Sequence, residues 1–563
     1  MSMKKIFALL LTVAMLATAL TSCNVFSQKK DSDSSEQSTT TPAQDLTDPV
    51  PEPVDIPISA VQLSAGNSTI ESYAIAELKW YFNAKSIPVT EEGYPISLSI
   101  DPSIVADGYK IVATEEGLTI KGGNERGLAY ALYSFLENAV GVHFYAADTI
   151  VVDDKSMVIT TGVLDSFDPK FQILRNPWYP IEVLPEKDGG NASGNRLTKT
   201  LSLNTITGNG GVAQPCLTDP ENLPKAIAYV QNYLAATPGL SVLAFAPNDS
   251  SDYYCQCPNC NRIDAQEGSH AGTYIRFINS IIEAVADDYP EISFEINIRT
   301  YLQTAPAITK PAQGVSVRLS TAGCHATHAI TDTSCPNAVA FAQGVATWGA
   351  LCDSVHVEYV LTSTTNYIPV FANLGTLREN MKFFAESGIE SVYCSGNFAC
   401  PSGEFAELRA YLISKLLLDP TMSEEQYNTY MNDFLKAFYG EGWEYIRKFI
   451  DKTTELAADG HQDAAGSPFD AITAEEYLAN EVTFDEWWNQ AEALAGDRIE
   501  FVKRARYQWR YIKLCLHPNA EDAQAFINDV TNAEAKVAWR EKKWNVDASS
   551  DLSFAPTEWK YKS

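Results

Sequence analysis

Apolar and polar positions change rhythm along this chain, and each change marks a different kind of segment. Ile6 to Leu20 is a mostly apolar run behind Lys4 and Lys5, and Asn24 to Pro57 has almost no apolar periodicity. From Ile58 to about Leu164 the spacing alternates between two residues and three to four. Ile58–Leu63, Ile96–Ile100, Tyr109–Ala113 and Leu118–Lys121 read as strands, the last two joined by the hairpin loop Thr114-Glu115-Glu116-Gly117. Ser68-Thr69-Ile70-Glu71 is a capping box, and Ile70, Tyr73, Ala74, Leu78, Tyr81 and Phe82 share one face of the helix it opens. A second helix, from about Glu125 to Asn138, places Leu128, Ala131, Leu132, Phe135 and Leu136 inward.

From Asp168 to Asp419 strand-like and helix-like segments alternate. Expected strands are Phe171–Leu174, Asn204–Thr207, Leu243–Ala246, Phe294–Ile298, Val315–Leu319, Val355–Tyr359 and Ser391–Cys394. Amphipathic helices run from about Thr273 to Ala286 and from about Leu374 to Ser387. Such alternation argues for parallel βα units. Polar and aromatic residues follow nearly every strand, which favours a (β/α)8 barrel over a doubly wound sheet, because a barrel gathers its strand ends at one mouth. Beyond Pro420 the pattern is helical. Ser423-Glu424-Glu425-Gln426 and Thr473-Ala474-Glu475-Glu476 are capping boxes, and one long helix is expected from about Phe484 to Leu516. A small bundle on the barrel is the simplest reading, with Trp487-Trp488 overhanging the mouth as the alternative. The expected fold is therefore α/β: a TIM-like barrel (168–420), a small α/β domain before it (58–165) and an α-helical domain after it (421–563).

Charge narrows the partners. Acidic residues outnumber basic ones 71 to 41, a net −30. That field repels phosphate backbones, so nucleic acid is not an expected partner. Residues 1–22 read as a secretory signal. The signal ends in Leu20-Thr21-Ser22-Cys23, which resembles the bacterial lipobox and implies that Cys23 is lipidated. Residues 23–57, rich in Ser, Thr, Asp, Gln and Pro, read as a disordered tether. The expectation is an extracytoplasmic protein held to a bacterial membrane by its lipid alone. Its oligomeric state is not legible.

Two sets of residues carry family resemblances. Gly117-Leu118-Thr119-Ile120-Lys121-Gly122-Gly123-Asn124-Glu125-Arg126-Gly127-Leu128-Ala129-Tyr130-Ala131-Leu132 resembles the domain before the barrel in family-20 hexosaminidases and family-67 α-glucuronidases. In it Gly127 permits close helix–sheet packing, and Arg126 reads as a structural ion-pair partner. Further blocks resemble the bacterial family of domain of unknown function 4838. They are Gln214 to Glu221, Ala246-Pro247-Asn248-Asp249 with Cys255-Gln256-Cys257-Pro258-Asn259-Cys260, Val357-Glu358-Tyr359, Val370 to Leu374, and Glu404 to Pro420. The resemblance spans roughly residues 60–425. It implies a glycoside-hydrolase-like barrel and supplies no substrate.

Glycoside hydrolysis usually needs two carboxyl groups at strand ends, one protonating the leaving oxygen and one acting as nucleophile or base. Asp249, Glu358 and Glu404 are the catalytic candidates. Glu358 stands where the resembled family typically has an Asp after a Trp, so its role does not carry over directly. Glu295 is a fourth acid, on one strand face with Asn297 and Arg299. Substrate-binding candidates are Arg175, Asn248, Asn297, Arg299, Tyr301, Trp348, Tyr359 and Asn397, which offer hydrogen bonds and flat ring faces. Arg175, near Asn176 and Trp178, would suit an anionic sugar. The first function reading is a hydrolase acting on an acetamido-sugar or uronic-acid glycan. The second is a non-catalytic glycan-binding surface lipoprotein. Neither requires a cofactor for catalysis. Cys255, Cys257 and Cys260 could bind a structural zinc, with a fourth ligand from Cys216, His270, Cys324, His325 or His328, or could form disulfides.

Overall fold

The computed structural model describes residues 52–532, except 147–148, 171–172, 176–196, 249–252, 365–367 and 397–403, and gives only the backbone of 173–175 and 197–198. The lipidation residue Cys23 lies outside the described residues.

The first layer comprises β1 (Asp55–Pro57), β2 (Val61–Ala65), α1 (Thr69–Ala84), β3 (Tyr94–Ile100), β4 (Tyr109–Thr114), β5 (Gly117–Gly122), α2 (Glu125–Phe135), β6 (Val142–Ala146), β7 (Thr149–Val152), β8 (Val158–Thr160) and β9 (Gly162–Phe167). Five strands form one mixed sheet in the order β2-β3-β5-β4-β9. The Ser68 box closes in both directions, with the hydroxyl accepting from the Glu71 N–H and the Glu71 carboxylate accepting from the Ser68 N–H. Gly127 is needed for contact: a Cβ there would lie 2.3 Å from the Gly108 carbonyl oxygen. Arg126 grips Asp107 through two parallel hydrogen bonds. Burial of Leu78, Phe82, Ile96, Ile120 and Leu132 gives this layer a core of its own.

The second layer comprises β10 (Ile173–Arg175), β11 (Leu197–Ser202), α3 (Leu203–Thr207), α4 (Asn222–Ala236), β12 (Leu240–Ala246), α5 (Pro258–Glu267), α6 (Ala271–Val285), β13 (Ser293–Ile298), β14 (Ser316–Ser320), α7 (Pro336–Gly349), β15 (Val355–Val360), α8 (Leu377–Glu386), β16 (Ser391–Ser395) and α9 (Ala406–Leu418). Seven strands pair in the order β10-β16-β15-β14-β13-β12-β11, and every pairing is parallel. The first strand thus lies beside the last, which is the order of a half-barrel left open between its first two strands. Among the described residues there are seven strands, not eight. Asn204–Thr207 corrects an expectation: it is helical, not strand. Ser202 caps it, accepting a hydrogen bond from the Thr205 N–H at 3.3 Å, and the strand is the more polar Leu197–Ser202 before it.

The third layer is helical: α10 (Glu424–Tyr439), α11 (Trp443–Ala457), α12 (Ala474–Leu494), α13 (Ile499–Leu516) and α14 (Ala520–Asn532). The single helix expected from Phe484 to Leu516 is two helices, broken at Gly496, whose φ of +56° is left-handed. Trp488 is buried against Phe449 and does not overhang the sheet. One apolar cluster runs from the parallel sheet through α9 into these helices. Among the described residues, no helix is long and apolar enough to cross a membrane.

Lys415 on α9 ties the layers together. Its Nζ lies 2.8 and 2.6 Å from the two carboxylate oxygens of Glu137, in the short turn after α2, and the lysine side chain is 3% exposed. Removing one partner of such a pair leaves a shielded charge uncompensated. Lys415→Ala is expected to lower unfolding stability by about 2 kcal/mol, less than a fully buried pair because Glu137 keeps some solvent. Urea denaturation of Lys415→Ala against wild type checks this.

Candidate functional site

In β13, β14 and β15 polar and apolar residues alternate as far as Glu358. Phe294, Ile296, Ile298, Val317, Leu319, Val355 and Val357 belong to the main apolar core. The residues between them point to the opposite face. Register sets Asn297 beside Arg318, Arg318 beside His356, Ser320 beside Glu358, and Glu358 beside Tyr393. The face they share is polar.

At its centre Glu295 has no exposure at all. It accepts from the Arg318 guanidinium on one oxygen and from His356 Nδ1, at 2.6 Å, on the other. Arg318 also lies over the Tyr393 ring, 4.8 Å from its centre. Ala244 is the register partner of Glu295 on β12, so a small residue leaves room for the acid. Glu295 is thus a structural charge, paired on both oxygens.

Nearer the C-terminal strand ends, Glu358 accepts from Arg299 at 3.2 Å, and the Glu358 side chain is 10% exposed. Asn297 lies one inward position below Arg299 and is 2% exposed. Neither atom of its amide has a hydrogen-bond partner among the described residues. A buried unpartnered amide costs about 1–3 kcal/mol, so natural proteins rarely keep one without a ligand or water to fill it.

Glu404 precedes α9. Its carboxyl accepts from Arg409 at 2.8 Å, while its other oxygen, Oε1, has no partner among the described residues. Arg409 is wholly buried, and its Nε donates to Asn373 at 3.0 Å. Burial pushes the Glu404 carboxyl up to about 7, against the opposing pull of Arg409.

The other sequence candidates divide. Trp348 is corrected: it is fully buried on α7, and its indole N–H donates to the Gln303 carbonyl at 2.9 Å. Tyr359 is corrected too. It is 4% exposed on the helix side of β15, and its hydroxyl accepts from Asn380 at 2.9 Å. Both rings pack the core and offer no face to a sugar. Asn248 braces loops, accepting from the Asn204 N–H and donating to the Ala213 carbonyl, both at 3.1 Å. Tyr301 stacks on Tyr254, ring centres 5.4 Å apart. Asp249, Asn397, Asn176, Trp178 and the Arg175 side chain lie outside the described residues. Arg318, His356 and Tyr393 were missed, although the alternation in Val355-His-Val-Glu was a readable sign of a polar face.

The model of a family described as domain of unknown function (DUF4838) matches residues 147–451, more than half of the chain. The chain belongs to that family. The DUF4838 match runs beyond the sheet into α11, which agrees with the apolar core shared by sheet and helices. No curated protein matches the chain. Solved structures similar to it include CpGH84B, at 10% identity and a TM-score of 0.43, with 85% of this chain and 91% of that one covered. The GH20 exo-β-N-acetylglucosaminidase from Vibrio harveyi in complex with N-acetylglucosamine is similar at 9% identity and 0.41, with 70% and 76% covered. A GH138 enzyme targeting pectin rhamnogalacturonan II is similar at 10% and 0.39, with 83% and 90% covered.

Two clusters rich in sulfur and nitrogen lie elsewhere in the chain, one wholly within the DUF4838 match and one reaching beyond it to His461. Cys216, Cys255, Cys257 and Cys260 bring four sulfurs within 4.8 Å of one another. Thr218 and the Cys260 N–H draw the Cys257 thiol down to about 6, while burial pushes Cys255 up to about 12. His325, Cys335 and His461 form the second cluster. His325 and His328 were expected as fourth ligands for the first cluster. His325 lies in the second instead, and His328 packs beside it, its ring 4.8 Å from that of His461. His270 is likewise engaged elsewhere, with Asp264 at 2.6 Å.

Glu404 gives a pH signature. The unfolded chain releases this proton near 4.5, the folded one near 7. Between those values the folded state holds more protons, so the Glu404 contribution to stability falls as pH rises. The decline in unfolding free energy from pH 5 to 7 is expected to be shallower in Glu404→Gln than in wild type. Urea titrations at stepped pH check this.

Proposed function

We propose that this protein is an extracytoplasmic glycoside hydrolase, lipid-anchored through Cys23, on a (β/α)8-like barrel. Its substrate is a glycan containing an acetamido sugar or a uronic acid, the classes implied by the resemblance of residues 117–132. The observation that carries the reading is the buried, unpartnered Asn297 amide below the Glu358–Arg299 pair, at the C-terminal strand ends. A sugar hydroxyl both donates and accepts, so a sugar can satisfy both amide atoms at once.

The two acids take different roles because their surroundings differ. Glu358 stands at the strand ends in contact with Arg299, a place that suits a nucleophile or base and a stabiliser of positive charge at the anomeric carbon. Glu404 keeps its proton to higher pH and serves as the acid that protonates the leaving oxygen. Asp249 is the alternative partner for Glu358.

A second reading, a glycan-binding protein without turnover, is favoured by one observation. Arg409 joins Glu404 to Asn373 in a buried network that a purely structural role would also use.

The test is a screen of residues 53–563 against aryl hexosaminides, aryl uronides and polymeric glycans. In the hydrolase reading Glu358→Gln loses at least about 100-fold in kcat while keeping its affinity for the sugar. Glycan affinity with no turnover in wild type establishes the binder instead. Turnover is expected to fall as pH rises past about 7, where Glu404 loses its proton. That limb is expected to vanish in Glu404→Gln assayed with an activated aryl leaving group that needs no acid.

A further inference from the structure

We propose that Cys216, Cys255, Cys257 and Cys260 bind one zinc ion as four thiolates, and that this ion fixes the loops after β11 and β12. The sulfurs already stand at the spacing of a metal's ligands. Cys216 Sγ lies 3.7 Å from Cys257 Sγ and 3.9 Å from Cys260 Sγ, and all four sulfurs fall within 4.8 Å of one another. Zinc holds thiolates tetrahedrally at about 2.3 Å, which places the sulfurs about 3.8 Å apart. Disulfide sulfurs sit about 2.05 Å apart and in separate pairs, not in a group of four around one point.

The surroundings suit thiolates. Cys257 caps α5, and the Cys260 N–H points to its sulfur at 3.5 Å. The Thr218 hydroxyl lies 3.4, 3.4 and 3.3 Å from the sulfurs of Cys216, Cys257 and Cys260. A helix N-terminus and a hydroxyl both stabilise negative sulfur. Binding expels four thiol protons to solvent and leaves a closed ZnS4 centre with a net charge of −2, so its role is structural. Cys216 comes from the segment after α3 and the other three from the segment after β12. The same two segments are clamped next to the metal: the Gln214 amide donates to the Asn248 carbonyl at 2.9 Å and accepts from the Asn248 N–H at 3.0 Å. The ion therefore acts beside the clamp that holds the Gln214 segment against Asn248.

The experiment is metal analysis of the whole chain purified without chelators. One zinc should remain after removal of loosely held ions, and X-ray absorption at the zinc edge should give four sulfurs at about 2.3 Å. Titration of wild type with a mercurial should release that zinc in step with four thiols, a readout that needs no variant to fold. Cys257→Ser with Cys260→Ser should lose the ion, and His461→Ala should keep it, which separates this site from the His325 cluster. Intact-mass alkylation that finds the four cysteines as two disulfides overturns the proposal. So does a zinc-replete preparation with four reduced, metal-free thiols, or a zinc with nitrogen ligands that His461→Ala removes.

Discussion

Glu295 is the constraint around which the parallel sheet is organised. An ionised carboxylate with no solvent contact is tolerated only where every lone-pair direction meets a donor, because its desolvation costs several kcal/mol. Meeting that demand requires an Arg on β14 and a His on β15 at fixed register. It also requires a small residue on β12, supplied by Ala244. A slip of one residue in any of these strands would turn its member of the network toward the apolar helices. The network thus fixes the register, and the register decides which side chains reach the strand ends. Asn297 lies one inward step above Glu295, and Glu358 and Arg299 lie one step above His356 and Asn297, so the same register brings the three together.

The loops around those strand ends are braced by two different chemistries. On the β11–β12 side four sulfurs and the Gln214–Asn248 clamp join neighbouring segments. Beyond β16, Arg409 does comparable work, gathering the Glu404 carboxyl, the Asn373 side chain and the Phe371 carbonyl. The Arg409 network is buried, so it holds only when complete, whereas the sulfur cluster is partly open to solvent. Loops at the carboxyl end of a parallel sheet carry few apolar contacts of their own, and this is where such polar bracing is needed.

Much of this was legible from periodicity. The parallel βα alternation, the capped helices at Ser68 and Thr473 and the close approach at Gly127 follow from local rules that need no partner from elsewhere. What failed depended on distant contacts. Trp348 and Tyr359 have the chemistry of sugar platforms, but only the packing of α7 and α8 determines that their rings face the core. The break between α12 and α13 required weighing one Gly against a long apolar stripe, and the stripe was weighed too heavily. Cys216 could not be separated from four other candidate ligands, because the relevant separation is spatial: it stands 3.7 Å from Cys257 across 41 residues of chain.

The asymmetry of the two acids bears on how the site works. Glu358 is longer by one methylene than the Asp typical of the resembled family, and its Arg299 partner comes from two strands away. Glu404 is the opposite case: its partner is entirely buried, and desolvation outweighs the attraction. A carboxyl that keeps its proton toward neutral pH does so because of its environment, not its residue type. In this chain the two environments are built separately, one from strand register and the other from the Arg409 network. The Arg409 network can therefore change without disturbing the strand register that sets Glu358 against Arg299.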